Sequence, residues 1–174
     1  MKLESLKMET YNLPIGVFDS GVGGLSILKE VREILPNENY IFFADQKNVP
    51  YGEKTKGELI VLASRIVQFL VSQKIKMVVV ACNTSTCYTI QELRSLFPEL
   101  PIVGVVPAIK TAAEQTKNGK IGLIATPATV KSPYVGELIK KFAPNVKVTS
   151  IGCAGLEDAV EKGLLDKGIQ RKAI

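Results

Sequence analysis

Six short segments rich in apolar or β-branched residues, separated by amphipathic stretches, constrain the fold of this 174-residue chain more than any other feature. These segments predict strands at residues 14–18, 40–44, 77–81, 102–105, 121–125 and 146–151. The stretches between the first four segments have helical periodicity and end near residues 35, 72 and 96. Because parallel strands need helical crossovers, the alternation predicts an α/β fold with mainly parallel sheets. Ligands of such folds bind at the carboxyl ends of the strands, so function is expected in the loops there.

Composition excludes several classes of protein. No apolar run is long enough to cross a bilayer, and residues 1–12 mix Lys with Glu and contain no signal-peptide core, so we expect a cytoplasmic protein without a membrane partner. The net charge of +5 comes from Lys interspersed with Glu, which argues against a nucleic-acid partner. The chain has no His, so any proton transfer near neutral pH falls to Cys, Asp, Glu, Lys or Tyr.

The loop after the first predicted strand is rich in glycine. Asp19 and Ser20 lead into Gly21, Gly23 and Gly24, whose backbone amides are able to approach a small anion at the start of the next helix. The spacing is neither GxGxxG nor a P-loop, which argues against a nucleotide. A tight turn in which Asp19 caps the helix is an equally good interpretation.

Cys82 follows the third predicted strand directly. The loop 82–85 supplies Asn83 and Thr84, which are able to cap a helix or donate hydrogen bonds to a ligand. A cysteine at a helix amino terminus is favoured as thiolate, which makes Cys82 a candidate base or nucleophile. The alternative is a small buried residue at the end of a strand.

Two further features are less specific. Pro50, Tyr51 and Gly52 form a loop. Its tyrosine hydroxyl and backbone amides are candidates to reach a ligand at the carboxyl ends of the strands, although a plain turn fits equally well. The three cysteines form no CxxC pair, and neither Cys87 nor Cys153 has the sequence context of a catalyst.

Taken together, four ordered blocks resemble the glutamate racemases of the aspartate/glutamate racemase superfamily. The blocks are residues 15–25 (IGVFDSGVGGL), 49–52 (VPYG), 79–84 (VVACNT) and 124–130 (IATPATV). The resemblance implies a two-lobed parallel-sheet α/β fold. It also implies racemisation of glutamate without pyridoxal phosphate, metal or any other cofactor, in which two cysteines on opposite faces of the substrate remove and return the α-proton.

The resemblance also assigns residues. Cys82 matches the first catalytic cysteine, on the D-glutamate side, and Asp19 matches the carboxylate that supports it. The matches to substrate-binding positions are Asp19, Ser20, Pro50, Tyr51, Gly52, Cys82, Asn83, Thr84, Thr126 and Thr129.

In the family the second cysteine precedes Thr and His and lies beyond the last residue of this chain. We therefore expect a first lobe at residues 1–105, an incomplete second lobe at 106–174, and a missing carboxy-terminal part that leaves the isolated chain unstable or inactive. Residues 164–174 suggest only the start of a helix or loop. The family further implies D-glutamate supply for peptidoglycan and a possible homodimer.

Three other functions compete with this one. The first is a catalytically silent protein that binds glutamate, and the second is a racemase of the same superfamily that acts on aspartate or a related acid. The third, a nucleotide-binding α/β domain, is supported by residues 21–24 alone.

Overall fold

A computed structural model describes residues 12–161. The predictions for residues 1–11 and 164–174 lie outside the described part. Within residues 12–161, six strands alternate with helices in the order predicted. The strands are β1 (Ile15–Asp19), β2 (Tyr40–Ala44), β3 (Met77–Val80), β4 (Ile102–Gly104), β5 (Lys120–Ala125) and β6 (Lys147–Gly152). The helices are α1 (Gly24–Ile34), α2 (Lys56–Ser72), α3 (Asn83–Leu96), α4 (Ile109–Gln115), α5 (Pro127–Lys131), α6 (Pro133–Phe142) and α7 (Leu156–Glu161), with 3₁₀ turns at Gln46–Asn48 and Tyr51–Glu53.

The strands form two parallel sheets. The first has the order β2-β1-β3-β4, and the second pairs β5 with β6. All pairs are parallel and connected through helices, which confirms the predicted α/β fold. The first sheet lies before residue 105 and the second after it, whereas the domain boundary itself stays a prediction.

Alternation along β1 and β3 places a core on each face of the first sheet. Phe18, Val78 and Val80 pack on one face against buried side chains of α2 and α3, and Val17 and Val79 pack on the other against α1. With both faces covered, every residue of β1 is buried. The carboxyl ends of β1, β2 and β3 therefore form one rigid edge.

Side-chain caps start several helices. Thr55 and Glu58 form a reciprocal capping box at α2. Thr126 and Ser132 cap α5 and α6, and each is followed by proline at the first helical position. The predicted loop 82–85 is wrong in extent, because α3 begins at residue 83. No helix within residues 12–161 is both long and apolar enough to cross a membrane.

Candidate functional site

Two acidic residues and Cys82 lie together at the carboxyl edge of the first sheet. Asp19 ends β1, Asp45 follows β2, and Cys82 follows β3 after one further residue. The backbone N–H of Asp45 donates to the carbonyl of Asp19 at 3.0 Å, and that of Ala81 donates to the carbonyl of Phe18 at 2.8 Å. The parallel register thus brings three reactive side chains to one place.

Cys82 is the N-cap of α3 and is 6% exposed. Its sulfur accepts the backbone N–H of Ser85 at 3.3 Å, and its S–H points to the hydroxyl of Ser20 at 3.7 Å. Burial, and secondly the charge of Asp19, raise the pKa of the thiol to about 12, while the bonds to Ser85 and Ser20 lower it. The expectation that the helix terminus favours thiolate is therefore wrong for this state, because desolvation outweighs the single amide.

Asp19 occupies the glycine-rich turn itself. Its Oδ2 accepts the backbone N–H of Gly24 at 2.9 Å and of Gly21 at 3.3 Å. A Cβ on Gly24 would lie 2.5 Å from that of Asp19, so the turn needs glycine there. The next amide, from Val22, donates to Glu161 Oε1 at 2.8 Å. The backbone amides that the sequence suggested for a small anion thus bind carboxylates of the chain itself, those of Asp19 and Glu161.

A cavity of about 380 Å³ opens beside Cys82, between the two sheets. Its lining residues are Ser20, Cys82, Asn83, Thr84, Pro107, Ala108, Leu123, Ile124, Ala125, Thr126 and Thr129. Of the ten site residues predicted from the sequence, six line it: Ser20, Cys82, Asn83, Thr84, Thr126 and Thr129. No lining residue from the described range is charged, so its polar groups are one thiol, hydroxyls, an amide and the backbone.

Three threonine hydroxyls cross the junction between the sheets. Thr84 Oγ1 lies 3.1 Å from Thr126 Oγ1 and 3.0 Å from Thr129 Oγ1, and the hydroxyl of Thr126 donates to Thr129 at 3.0 Å. Beside them, the hydroxyl of Tyr88 donates to the carbonyl of Ala128 at 2.8 Å. These bonds tie the amino-terminal turns of α3 and α5 together at the mouth of the cavity.

The other four predicted residues lie behind this lining. Asp19 is 6% exposed and lies against the turn described above. Tyr51 is 1% exposed, and its hydroxyl donates to Asp45 at 2.7 Å. Of the two interpretations of this loop, the one in which the hydroxyl reaches the cavity is therefore wrong. Burial, and then the Asp45 bond and charge, raise the pKa of Tyr51 far above its usual value. Pro50 and Gly52 flank it, and a Cβ on Gly52 would lie 3.0 Å from that of Thr126.

Sequence reasoning missed two buried or bridging acids. Asp45 follows β2 as Asp19 ends β1, so its position after a predicted strand was a usable signal. Glu161 reaches Val22 across 139 positions of sequence, for which no local pattern exists. Cys87 packs with Ile109 and Val135, and neither it nor Cys153 lines the cavity.

Comparisons with known proteins identify related sequences over most of the chain. The sequence profile of the Asp/Glu/Hydantoin racemase family matches residues 15–172. A glutamate racemase of Clostridium novyi is 45% identical over 158 residues, which cover 91% of this chain and 61% of the relative. The chain thus spans about three fifths of the length of such relatives.

Solved structures give the same picture. The structure of Escherichia coli glutamate racemase in complex with L-glutamate and an activator is 42% identical, with a TM-score of 0.81 over 87% of this chain and 57% of that one. Glutamate racemase of Francisella tularensis, in complex with D-glutamate, is 35% identical, with a TM-score of 0.80 over 93% of this chain and 61% of that one.

Proposed function

The chain belongs to the Asp/Glu/Hydantoin racemase family, and we propose that its protein is a glutamate racemase in which Cys82 transfers the α-proton on one face of the substrate. The observation that carries the proposal is the position of Cys82. Its thiol lies in a cavity of hydroxyl and amide groups, with the carboxylate of Asp19 near enough to affect its protonation.

The cavity suits a small dicarboxylic amino acid. Its volume of about 380 Å³ lies at the lower end of the range of small-molecule sites. The amide of Asn83 and the hydroxyls of Ser20, Thr84, Thr126 and Thr129 are donors for carboxylate oxygens. Two relatives of similar fold are complexes with L- and D-glutamate, which supports glutamate as the ligand here.

The raised pKa of Cys82 indicates how proton transfer begins. In the ligand-free state the thiol is neutral, because burial and Asp19 both oppose its ionisation. A substrate ammonium group beside Asp19 and Cys82 would offset that negative charge and lower the pKa of the thiol. The thiol would release its proton to solvent as the substrate binds, and the resulting thiolate would take the α-proton. The hydroxyl and amide donors would meet the charge developing on the substrate carboxylate.

Inversion requires a second acid that returns a proton to the opposite face. Within residues 12–161, Cys82 is the only thiol that lines the cavity. We propose, from the family resemblance, that the second acid is a second cysteine and that no organic cofactor takes part. The same resemblance supports a cytoplasmic enzyme that supplies D-glutamate for peptidoglycan, and a homodimer.

A catalytically silent glutamate-binding protein is the second candidate. The neutral state of Cys82 favours this candidate. A thiol with a pKa of about 12 stays protonated near neutral pH and cannot accept a proton unless a ligand changes its surroundings. Exchange of the substrate α-proton with solvent separates this candidate from a racemase, because binding alone leaves that proton in place.

Calorimetric titration with D-glutamate, L-glutamate and both enantiomers of aspartate tests the substrate class. We expect glutamate to bind more tightly than aspartate, and Thr84→Val to weaken binding by roughly tenfold, because an isosteric methyl group replaces a cavity hydroxyl. Thr149→Val is the matched control, since Thr149 is exposed on β6 away from the cavity. Absence of binding by all four amino acids would overturn the proposal, and preference for aspartate would indicate a related racemase.

A further inference from the structure

Asp45 is a buried carboxylate that does not line the cavity. It is 7% exposed, and its oxygens accept hydrogen bonds from Tyr51 Oη at 2.7 Å and from Asn48 Nδ2 at 2.8 and 3.0 Å. Both donors are neutral and lie within six residues of it on the same loop. A buried charge whose donors among residues 12–161 are neutral is costly to a fold. We therefore look for the role of Asp45 in what those donors position.

Tyr51 connects Asp45 to the thiol. Its ring belongs to the buried cluster that also contains Cys82 and Leu59. The ring is thus part of the wall that keeps water from the sulfur. The adjacent Gly52 passes so close to Thr126 that a Cβ there would lie 3.0 Å from the Thr126 Cβ. A change in the position of Tyr51 therefore acts on both the thiol and the opposite wall of the cavity.

We propose that Asp45 is a positioning residue for the Cys82 site, because its hydrogen bond to the Tyr51 hydroxyl holds the tyrosine ring over the thiol and Gly52 against Thr126. The role deepens the racemase proposed above and rests on it for its catalytic meaning. The geometric statement, that Asp45 controls access to Cys82 through Tyr51, is independent of any activity.

The rate at which iodoacetamide alkylates Cys82 reports on this wall directly. The rate is measured on the full chain between pH 7 and 10, with the Cys82 peptide quantified by mass spectrometry so that Cys87 and Cys153 do not interfere. Tyr51→Phe keeps the ring volume but removes the donor, Asp45→Ala removes the acceptor, and Asp45→Asn keeps an oxygen acceptor without the charge.

We expect Tyr51→Phe and Asp45→Ala each to accelerate alkylation by roughly tenfold, because a hydrogen bond to a charged group shifts a local opening equilibrium by at least that factor. The double variant is expected to react no faster than the faster single variant, since both changes break the same bond. Asp45→Asn should fall between the wild type and Asp45→Ala. Tyr40→Phe, which removes a hydroxyl bonded to the Leu35 carbonyl outside the site, should match the wild type.

Three results would overturn the inference. One is a wild-type rate in both Tyr51→Phe and Asp45→Ala. Another is a double variant whose acceleration equals the product of the single effects, which would make the residues independent. The third is equal acceleration in Asp45→Asn and Asp45→Ala without any effect of Tyr51→Phe, which would show that the charge acts on the thiol directly. Failure of the wild type to bind glutamate would instead contradict the proposed function and leave the alkylation result valid.

Discussion

Replacement of Asp19 by Asn tests whether this carboxylate opposes ionisation of Cys82. The amide oxygen of Asn is still able to accept the backbone N–H groups of Gly24 and Gly21, so the glycine turn is expected to persist. The negative charge, which is the second cause of the raised pKa of Cys82, is removed. Because a like charge disfavours the charged form, its loss lowers the pKa of the thiol below about 12.

The magnitude follows from two opposing effects. Burial is the larger cause and is retained, so we take the loss of the charge to lower the pKa by about one pH unit, at the low end for a neighbouring charge. The thiolate fraction at pH 8 then rises about tenfold, whereas each thiolate becomes roughly threefold less nucleophilic at a Brønsted coefficient of about 0.45. The expected net gain in alkylation rate is therefore about threefold.

The assay is iodoacetamide alkylation of the Cys82 peptide at pH 8, with a pH series to about 11. Glu33→Gln is the matched control, because it makes the same charge change on an exposed part of α1. A rate in Asp19→Asn that equals or falls below the wild-type rate would refute the assignment of Asp19 as a charge that keeps the thiol protonated.

Two further predictions concern stability. The pKa of Cys82 is about 12 in the folded state and about 8.5 in an unfolded chain. As the pH rises, the unfolded state therefore loses the thiol proton first. The contribution of the thiol to the free energy of unfolding is complete below pH 8.5 and falls by about 1.4 kcal/mol per pH unit above it. Urea unfolding at pH 8 and 10 should show this extra loss in the wild type relative to Cys82→Ser, and parallel curves for the two proteins would contradict it. Gly24→Ala should lower the free energy of unfolding by about 1–3 kcal/mol, because its Cβ would lie 2.5 Å from that of Asp19. Gly57→Ala, in open space on α2, should raise the free energy of unfolding by about 0.5–1 kcal/mol. Urea unfolding measures both variants, and a change of the same sign in the two would contradict the prediction.

Much of the fold was predictable because parallel α/β units leave a local signal. Most residues of β1 and β3 are buried, and those strands read as continuous apolar runs. The strands β5 and β6 are more exposed, but enough of their residues are apolar that all six strands lie within about one residue of their predicted bounds. The short helix α5 was not predicted, because Thr126 and Pro127 fit a loop as well as they fit an N-cap followed by the first helical residue.

The site was predictable where strand ends determine position, and not where burial or distant contacts decide. Cys82 and Ser20 reach the cavity because they follow β3 and β1. The sequence gives no measure of how deeply Cys82 is buried, and that burial reverses the expected direction of its pKa. The hydroxyl of Tyr51 donates to Asp45, and no sequence motif indicates this hydrogen bond.

Exchange of the glutamate α-proton in heavy water tests the central claim most directly. D- and L-glutamate are incubated separately with the chain and with Cys82→Ser, and the α-proton signal is followed by NMR, with Cys153→Ser as the matched control outside the cavity. Although a chain without the second acid is expected to be inactive in inversion, the half reaction at Cys82 needs one base alone. We therefore predict that the chain and Cys153→Ser exchange the α-proton of D-glutamate without inverting it, and that Cys82→Ser does not. Undiminished exchange in Cys82→Ser, or no exchange in a folded chain that binds glutamate, would contradict the role of Cys82 as the base.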